Sequence, residues 1–434
     1  MSSFDELGLD ENIVEACAAL AITTPTPIQA ASVPVLLSGS NAIIGSPTGS
    51  GKTLCFAAPT LQTLRRDPYG VFCVVLTPVR ELAYQIQQQF NAFGQNMNLK
   101  TCLVVGGKST GHQSGIIMRE RPHVVIGTPG RLADMIRAAP DVASAFRRVK
   151  VLVMDEADRL LQGNGFVQDL VDIMKVIPSK DSRQTIFVTA TISDQVKELQ
   201  ARYGGSDAMP IITDALVDED SMKLKVASTI DNKYVLVPNM VRMVYLHHIL
   251  REVYPTQSVI VFTRTIKSCQ MVASSIEKFL ADMPGNQGKV ACLHSLLEGQ
   301  SRRFAALGKF RNQNTRILVA TDVAARGLDI PKVGVVVNFE LSRDISTYVH
   351  RVGRAGRSGN LGVAISIVSD EDVEILKAIE EDIAITMDPV IYDEEVVLER
   401  LTATSTARRE AEAMLKQSGF DEKLNLYKKR KLVR

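Results

Sequence analysis

The chain is 434 residues long, with 50 Lys and Arg against 48 Asp and Glu and a formal charge of +2. At about 100–200 residues per domain this length predicts two or three domains, and 45% apolar with 23% charged residues excludes an intrinsically disordered chain. No apolar run approaches the roughly 18 residues of a membrane span, and taken alone the near-zero charge argues against a partner as acidic as nucleic acid.

Residues 1–10 carry no basic-then-apolar leader, which argues against secretion. From there short β-branched runs alternate with longer helical patterns. Strands are predicted at 42–45, 71–76, 102–105, 124–126, 151–154 and 186–188, with helices between them, as at 81–93 and 166–176. Fully apolar strands separated by amphipathic helices indicate a parallel sheet covered on both faces. The stretch 204–230 breaks the rhythm with Gly204, Gly205, a proline and the acidic run Asp218, Glu219, Asp220, so a linker is expected at 211–230. Strands then resume at 234–237, 259–262, 290–293, 317–320, 335–337 and 364–367.

The expected layout is two tandem α/β domains, 1–210 and 231–385, followed by a helical and basic C-terminal extension at 386–434 outside both. Its last stretch holds Lys423, Lys428, Lys429, Arg430, Lys431 and Arg434 and no acid. The six cysteines have no CxxC spacing and are read as reduced core thiols of an intracellular protein rather than metal ligands.

Three motifs carry chemistry. Ser46-Pro47-Thr48-Gly49-Ser50-Gly51-Lys52-Thr53 follows the first strand and opens a helix. Glycines there let backbone N–H groups converge on phosphate oxygens at a helix N-terminus. Lys52 would reach the β- and γ-phosphates and the Thr53 hydroxyl would ligate Mg²⁺. The strand at 151–154 runs into Asp155-Glu156-Ala157-Asp158. Asp155 would hold the metal, and Glu156 would orient or deprotonate the attacking water. Near the end of the second domain, His350-Arg351-Val352-Gly353-Arg354-Ala355-Gly356-Arg357 places three arginines at spacing three, which predicts guanidinium forks converging on phosphate charge.

Other polar motifs also sit just past strands: 77–83, Gly106-Gly107, Thr128-Pro129-Gly130-Arg131, Thr189-Ala190-Thr191, Thr263-Arg264, His294 and Thr321-Asp322. Ligands of open α/β sheets bind beyond the carboxyl ends of the strands, so all of these are expected to line one edge of each sheet.

Together these residues resemble the DEAD-box RNA helicase family, part of helicase superfamily 2, from about Phe4 to Ile367. Residues 155–158 read D-E-A-D literally. The resemblance implies two tandem RecA-like parallel-sheet domains, ATP and Mg²⁺ as cofactors, and RNA as partner. Phe4 and Pro25-Thr26-Pro27-Ile28-Gln29 look like the adenine-recognising motif, with Gln29 reading the base. Thr189 and Thr191 look like the motif coupling hydrolysis to strand separation. Arg80, Gly107, Thr128 and Arg131 match RNA-backbone contacts of the first domain, and Arg264, Gln300, Arg303 and Thr321 those of the second. Asp329 would bind the ribose, Arg354 and Arg357 would act as arginine fingers, and His350 would link the fingers to the acid motif. The sequence departs from the family at Ile22, where an aromatic is usual, at Thr189 for Ser, at Ser46 for Ala and at Val79 for Thr.

Ile22, the Thr-Ala-Thr triplet, residues 232–238 and the compact length resemble the nucleolar branch that acts in small ribosomal subunit assembly. That resemblance implies pre-rRNA processing in the nucleus and nucleolus, a monomer acting on pre-ribosomal particles with a protein activator, and no membrane. The absence of Trp and the 5% aromatic content offer few base-stacking platforms, so sequence-independent backbone contacts are expected. Rival readings are an ATP-dependent RNA clamp with little turnover, a DEAD-box helicase acting on mRNA, and a DNA helicase or translocase. The basic tail is inert, an RNA anchor, or a nuclear or nucleolar address.

Overall fold

The computed structural model describes residues 3–46, 50–107, 109–161, 166–189, 192, 194–205, 209–213, 230–297, 300–322, 333–356, 361–383 and 385–432. They form two units, Met1–Leu224 and Lys225–Arg434. The first is built on seven parallel strands: β1 (Ala42–Gly45), β2 (Cys73–Leu76), β3 (Thr101–Val104), β4 (Val124–Gly127), β5 (Val151–Asp155), β6 (Gln184–Thr189) and β7 (Ile211–Thr213), in the order β3-β4-β2-β5-β6-β1-β7. The second repeats the plan with β8 (Ile230–Leu236), β9 (Val259–Thr263), β10 (Val290–Leu293), β11 (Ile317–Thr321), β12 (Val335–Asn338), β13 (Gly362–Val368) and β14 (Asp388–Pro389), in the order β10-β11-β9-β12-β13-β8-β14. All strand pairs in both sheets are parallel. The predicted α/β class and its parallel sheets are therefore observed.

The central strands feed both faces of their sheets, which is why their runs are apolar throughout. In the first unit Val75, Val153 and Ile186 pack with Phe56 and Phe90 on one side, while Val74, Leu152 and Phe187 pack with Leu132 and Phe146 on the other. The second unit has two equivalent faces, one around Ile260, Leu318 and Tyr348 and one around Val261, Val319 and Ile276. Among the described residues no helix is long and apolar enough to cross a membrane.

Two strands carry no sequence signal. β7 lies inside the expected linker and pairs with β1, Ile43 opposite Ile211; it is three residues long and follows Met209-Pro210, so turn composition hid it. The remainder of that linker, 214–229, lies outside the described residues. β14, an Asp-Pro pair at a sheet edge, is joined to β8. Conversely, the run at 71–76 overshoots because Val71 takes a left-handed backbone, φ 47°, and β2 starts only at Cys73.

The C-terminal extension is not outside the second unit. The helix Leu401–Gln417 lies on the helix Ile266–Phe279, and Val397 and Ala407 enter the core face that holds Val272, Ile276 and Phe279. Within this packing His247 is buried, stacks on Phe279 at 4.1 Å between ring centroids, and pairs through Nδ1 with the Thr404 hydroxyl at 3.0 Å. Burial lowers the His247 pKa to about 3. An unfolded histidine titrates near 6.5, so the unfolded chain binds the extra proton and this site's stability is complete above pH 6.5 and lost as pH falls towards 3. The slope is about 1.4 kcal/mol per pH unit below 6.5. Denaturant melts of wild type and the H247F/T404V variant at pH 7.5 and 5.5 are expected to differ in pH sensitivity by about that amount, with the variant the flatter.

Candidate functional site

Strand register assembles the phosphate end of the site. β1 pairs with β6 so that Gly45 stands opposite Thr189, and β6 pairs with β5 so that Val188 stands opposite Asp155. The phosphate loop, the Thr189 hydroxyl and the acid motif thus emerge side by side at one sheet edge. Ser46 is fully buried at the loop's start, and the helix Lys52–Arg66 opens at its end. Thr48 and Gly49 lie outside the described residues.

The loop is held from behind. Gln29 is buried on the helix Pro27–Leu37, whose N-cap is Thr26. Its Oε1 accepts from the Thr26 backbone N–H at 2.9 Å and its Nε2 donates to the Gly51 carbonyl at 3.0 Å. The Thr26 hydroxyl donates to the Ser50 carbonyl at 2.9 Å. Gly51 has φ +84°, and a Cβ there would stand 2.3 Å from Gln29 Nε2, so only glycine admits this clamp. Ile22 is half-buried against the apolar cluster that also buries Phe4. Phe4 is thus a packing residue that fixes the N-terminal segment.

Lys52 turns its ammonium onto the Ser46 carbonyl, and Thr53 follows on the same first helical turn. Burial lowers the Lys52 pKa to about 8, against the pull of Asp155, Glu156, Cys55 and Asp158. Asp155 ends β5, buried, and burial and then the Glu156 charge raise its pKa to about 7, with Lys52 opposing. Glu156 adopts a left-handed backbone, φ 51°, which costs a non-glycine residue about 1–2 kcal/mol; its N–H donates to Asp155 Oδ1 at 3.0 Å. Asp158 accepts from the Thr189 hydroxyl at 3.1 Å, both residues buried. Three carboxylates crowd this turn.

Arg159 is the residue that motif reading passed over. It is buried, with Nη1 3.8 Å from Glu156 Oε2 and Nε 3.9 Å from Asp158 Oδ2. Its position three residues after Glu156 on a helical turn was the available signal. Thr191 lies outside the described residues.

The same edge carries the expected backbone-contacting groups. Arg80 begins the helix Arg80–Phe93 and lies on Gly106-Gly107, where a Cβ on Gly106 would come within 2.5 Å of its Nη2. Gly107 itself has φ +91°. Thr128 precedes the helix Pro129–Ala138, and Arg131 on that helix donates to the Thr110 hydroxyl at the start of the helix Thr110–Glu120. Three helix N-termini and two arginines therefore share one edge, an arrangement suited to phosphates.

In the second unit Thr263 and Thr321 end neighbouring strands in register, both buried, and among the described residues neither hydroxyl has a hydrogen-bond partner. Arg264 is fixed by its backbone N–H to Glu340 Oε2, 2.5 Å, and by Nη2 to Asp372 Oδ1, 3.5 Å; Asp372 is itself paired with Arg242 at 2.9 Å. Arg303 is half-buried on the helix Gln300–Arg311. The Gln300 side chain, Asp329 and Arg357 lie outside the described residues.

The expected convergence of three arginines is corrected at its first member. Arg351, on the helix Ile345–Val352, is 2% exposed and turned inward. It binds Asp322 through Nε at 2.5 Å and Nη2 at 2.8 Å, Asn338 Oδ1 at 3.2 Å and the Glu340 carbonyl at 2.6 Å. Residues at spacing three share a face only within one helix, and this helix ends at Val352, before Arg354. His350 and Arg354 flank it, both half-buried. His294, expected at the open edge, is instead buried, bonded to Gln270 Oε1 at 2.9 Å and covered edge-on by Phe420.

Comparison with known proteins agrees with this architecture. Residues 26–199 match the DEAD/DEAH box helicase model and residues 241–359 the helicase conserved C-terminal domain. The chain is 42% identical over its whole length to a mouse protein named probable ATP-dependent RNA helicase DDX49, covering 87% of it. The chain belongs to the DEAD/DEAH-box helicase family. The helicase is also 41% identical to the ATP-dependent RNA helicase DBP8 of Debaryomyces hansenii, over 99% of this chain and 96% of that one. In three dimensions it is similar to S. cerevisiae Dbp5 bound to RNA and ADP BeF3, with a TM-score of 0.75, 26% identity, and 94% and 100% of the two chains covered. It is likewise similar to Mss116p bound to ssRNA and AMP-PNP, with a TM-score of 0.81, 26% identity, and 97% and 87% covered.

For the helicase, Gln29→Ala removes the bond to the Gly51 carbonyl and the bond from Thr26 that orients the Gln29 amide. At about 1 kcal/mol per bond, nucleotide affinity measured by fluorescent-nucleotide titration is expected to fall roughly tenfold or more.

Proposed function

We infer that this helicase is an RNA-stimulated ATPase that separates short RNA duplexes or remodels RNA–protein complexes. The carrying observation is the strand register that sets Gly45 beside Thr189 and Val188 beside Asp155, with the loop lysine at the same edge. Lys52 serves the β- and γ-phosphates, Glu156 orients or deprotonates the attacking water, and Arg354 and Arg357 are the candidates for charge on the transferred phosphate. Asp155, Glu156 and Asp158 crowd one turn, and burial first and the Glu156 charge second raise the Asp155 pKa. Those residues fit a divalent cation: Thr53 and Asp155 would hold Mg²⁺, which when bound neutralises phosphate charge. The Thr189–Asp158 bond ties the acid turn to the end of β6, giving hydrolysis a mechanical link to the residues that follow.

Arg80, Gly107, Thr128 and Arg131 in the first unit, and Arg264, Gln300, Arg303 and Thr321 in the second, are assigned to the RNA backbone. Such contacts carry little sequence information, so we propose low sequence specificity. We further propose that the protein acts in small ribosomal subunit assembly in the nucleolus, on pre-ribosomal particles and with a protein activator. Ile22 and Thr189 support this.

The Glu156→Gln variant separates an enzyme from a clamp. It is expected to keep ATP and RNA binding while hydrolysis falls at least a hundredfold, the scale of a lost general base, with multiple-turnover separation of a short RNA duplex abolished. Wild-type hydrolysis by the variant contradicts the assignment of Glu156, and equal separation of a matched DNA duplex by the wild type contradicts the choice of RNA.

A further inference from the structure

We propose that the last helix, Phe420–Leu432, is a docked basic element whose exposed lysines bind phosphate beside the RNA-binding edge of the second unit. The inference rests on the RNA-binding reading above and adds a site to it.

The helix is anchored, not trailing. Phe420 and Leu424, one turn apart, are buried with Leu415 against Ile266, Met271 and Leu296. The Phe420 ring meets His294 edge-on at 6.0 Å between centroids, and Asp421 pairs with Lys267 at 2.7 Å. These anchor points have a definite address. Ile266 and Lys267 lie just past the carboxyl end of β9, after Arg264, and His294 and Leu296 lie just past the end of β10. The helix therefore starts at the sheet edge to which Arg264 and Thr321 belong. Lys428 and Lys429 stand eight and nine residues beyond Phe420, about 12–14 Å along the axis at 1.5 Å per residue.

The charge on this helix is disposed for an external anion. Upstream, Arg400 is paired with Glu252 at 2.9 Å and Arg408 with Glu412 at 3.1 Å. Lys423, Lys428 and Lys429 are exposed, and among the described residues no acidic side chain pairs with them. From Lys423 to the end the sequence contains no acid. Complementing the helix dipole explains cations in a last turn but not Lys423 in the first, where a positive charge is disfavoured. Flexible lysines suit the repeating charge of a phosphate backbone rather than a base edge. The occupant is accordingly the RNA already engaged by the second unit.

The test is the salt dependence of single-stranded RNA binding by the full chain, with and without the K423Q/K428Q/K429Q substitutions. Gln keeps helix propensity. If each lysine meets one phosphate, the slope of log K against log salt falls by about 2, at roughly 0.7 per contact. Half-saturating RNA for ATP hydrolysis rises at least tenfold at about 0.1 M salt, and excess RNA restores the wild-type rate. Phe420→Ala keeps every charge but loosens the dock, and is expected to weaken RNA binding as well. An unchanged slope in the triple variant overturns the proposal, the cations then serving another partner. An unchanged affinity in Phe420→Ala overturns the docked placement. Failure of the wild type to bind RNA is a different result, which overturns the RNA-binding reading itself.

Discussion

A parallel sheet buried on both faces leaves one place for polar chemistry, the ends of its strands, and desolvation enforces the rule. An unpaired carboxylate or hydroxyl within β5 or β11 would lie in a medium where it costs several kcal/mol. Asp155, Thr189, Thr263 and Thr321 are each the last residue of a strand, still buried but one step from the surface. Burial also sets the chemistry of the site: it raises Asp155 and lowers the neighbouring Lys52, moving an acid and a base towards neutrality together. Register then decides which groups meet, since a slip of one residue between β5 and β6 would turn Thr189 from the acid motif to the opposite face.

The same reasoning explains what could be read before folding. Continuous apolar runs such as 151–154 and 259–262 announce buried parallel strands, and glycine-lysine-threonine after such a run announces a phosphate loop. One edge of each sheet could not be read. β7 and β14 have three and two residues, one hidden by turn composition and the other made of Asp and Pro. For short edge strands the pairing partner, not the intrinsic sequence, supplies the order. Side-chain direction was equally hidden. Spacing grouped Arg351 with Arg354, yet Arg351 points inward because Asp322, Asn338 and Glu340 offer it a complete set of acceptors. Gln29, expected to read a base, also has its amide engaged with Thr26 and Gly51, a role visible only once two helices are brought together.

Net charge was the least informative property. A sum of +2 averages an arginine-bearing edge and a lysine-bearing last helix against acidic surface elsewhere. Position decides the partner, because within a Debye length of about 8–10 Å only local charges act together. The C-terminal segment shows this twice: its apolar residues, Ala407, Phe420 and Leu424, make it part of the second unit, while its cations face outward.

The central claim is that ATP turnover depends on RNA gripped through its backbone. Steady-state ATP hydrolysis by the full chain, titrated with unrelated single-stranded RNA sequences of equal length, tests it most directly. The account predicts that each RNA raises turnover at least tenfold, with half-saturating concentrations that agree within a few-fold. Hydrolysis equally fast with and without RNA, or stimulated by one sequence alone, would contradict it.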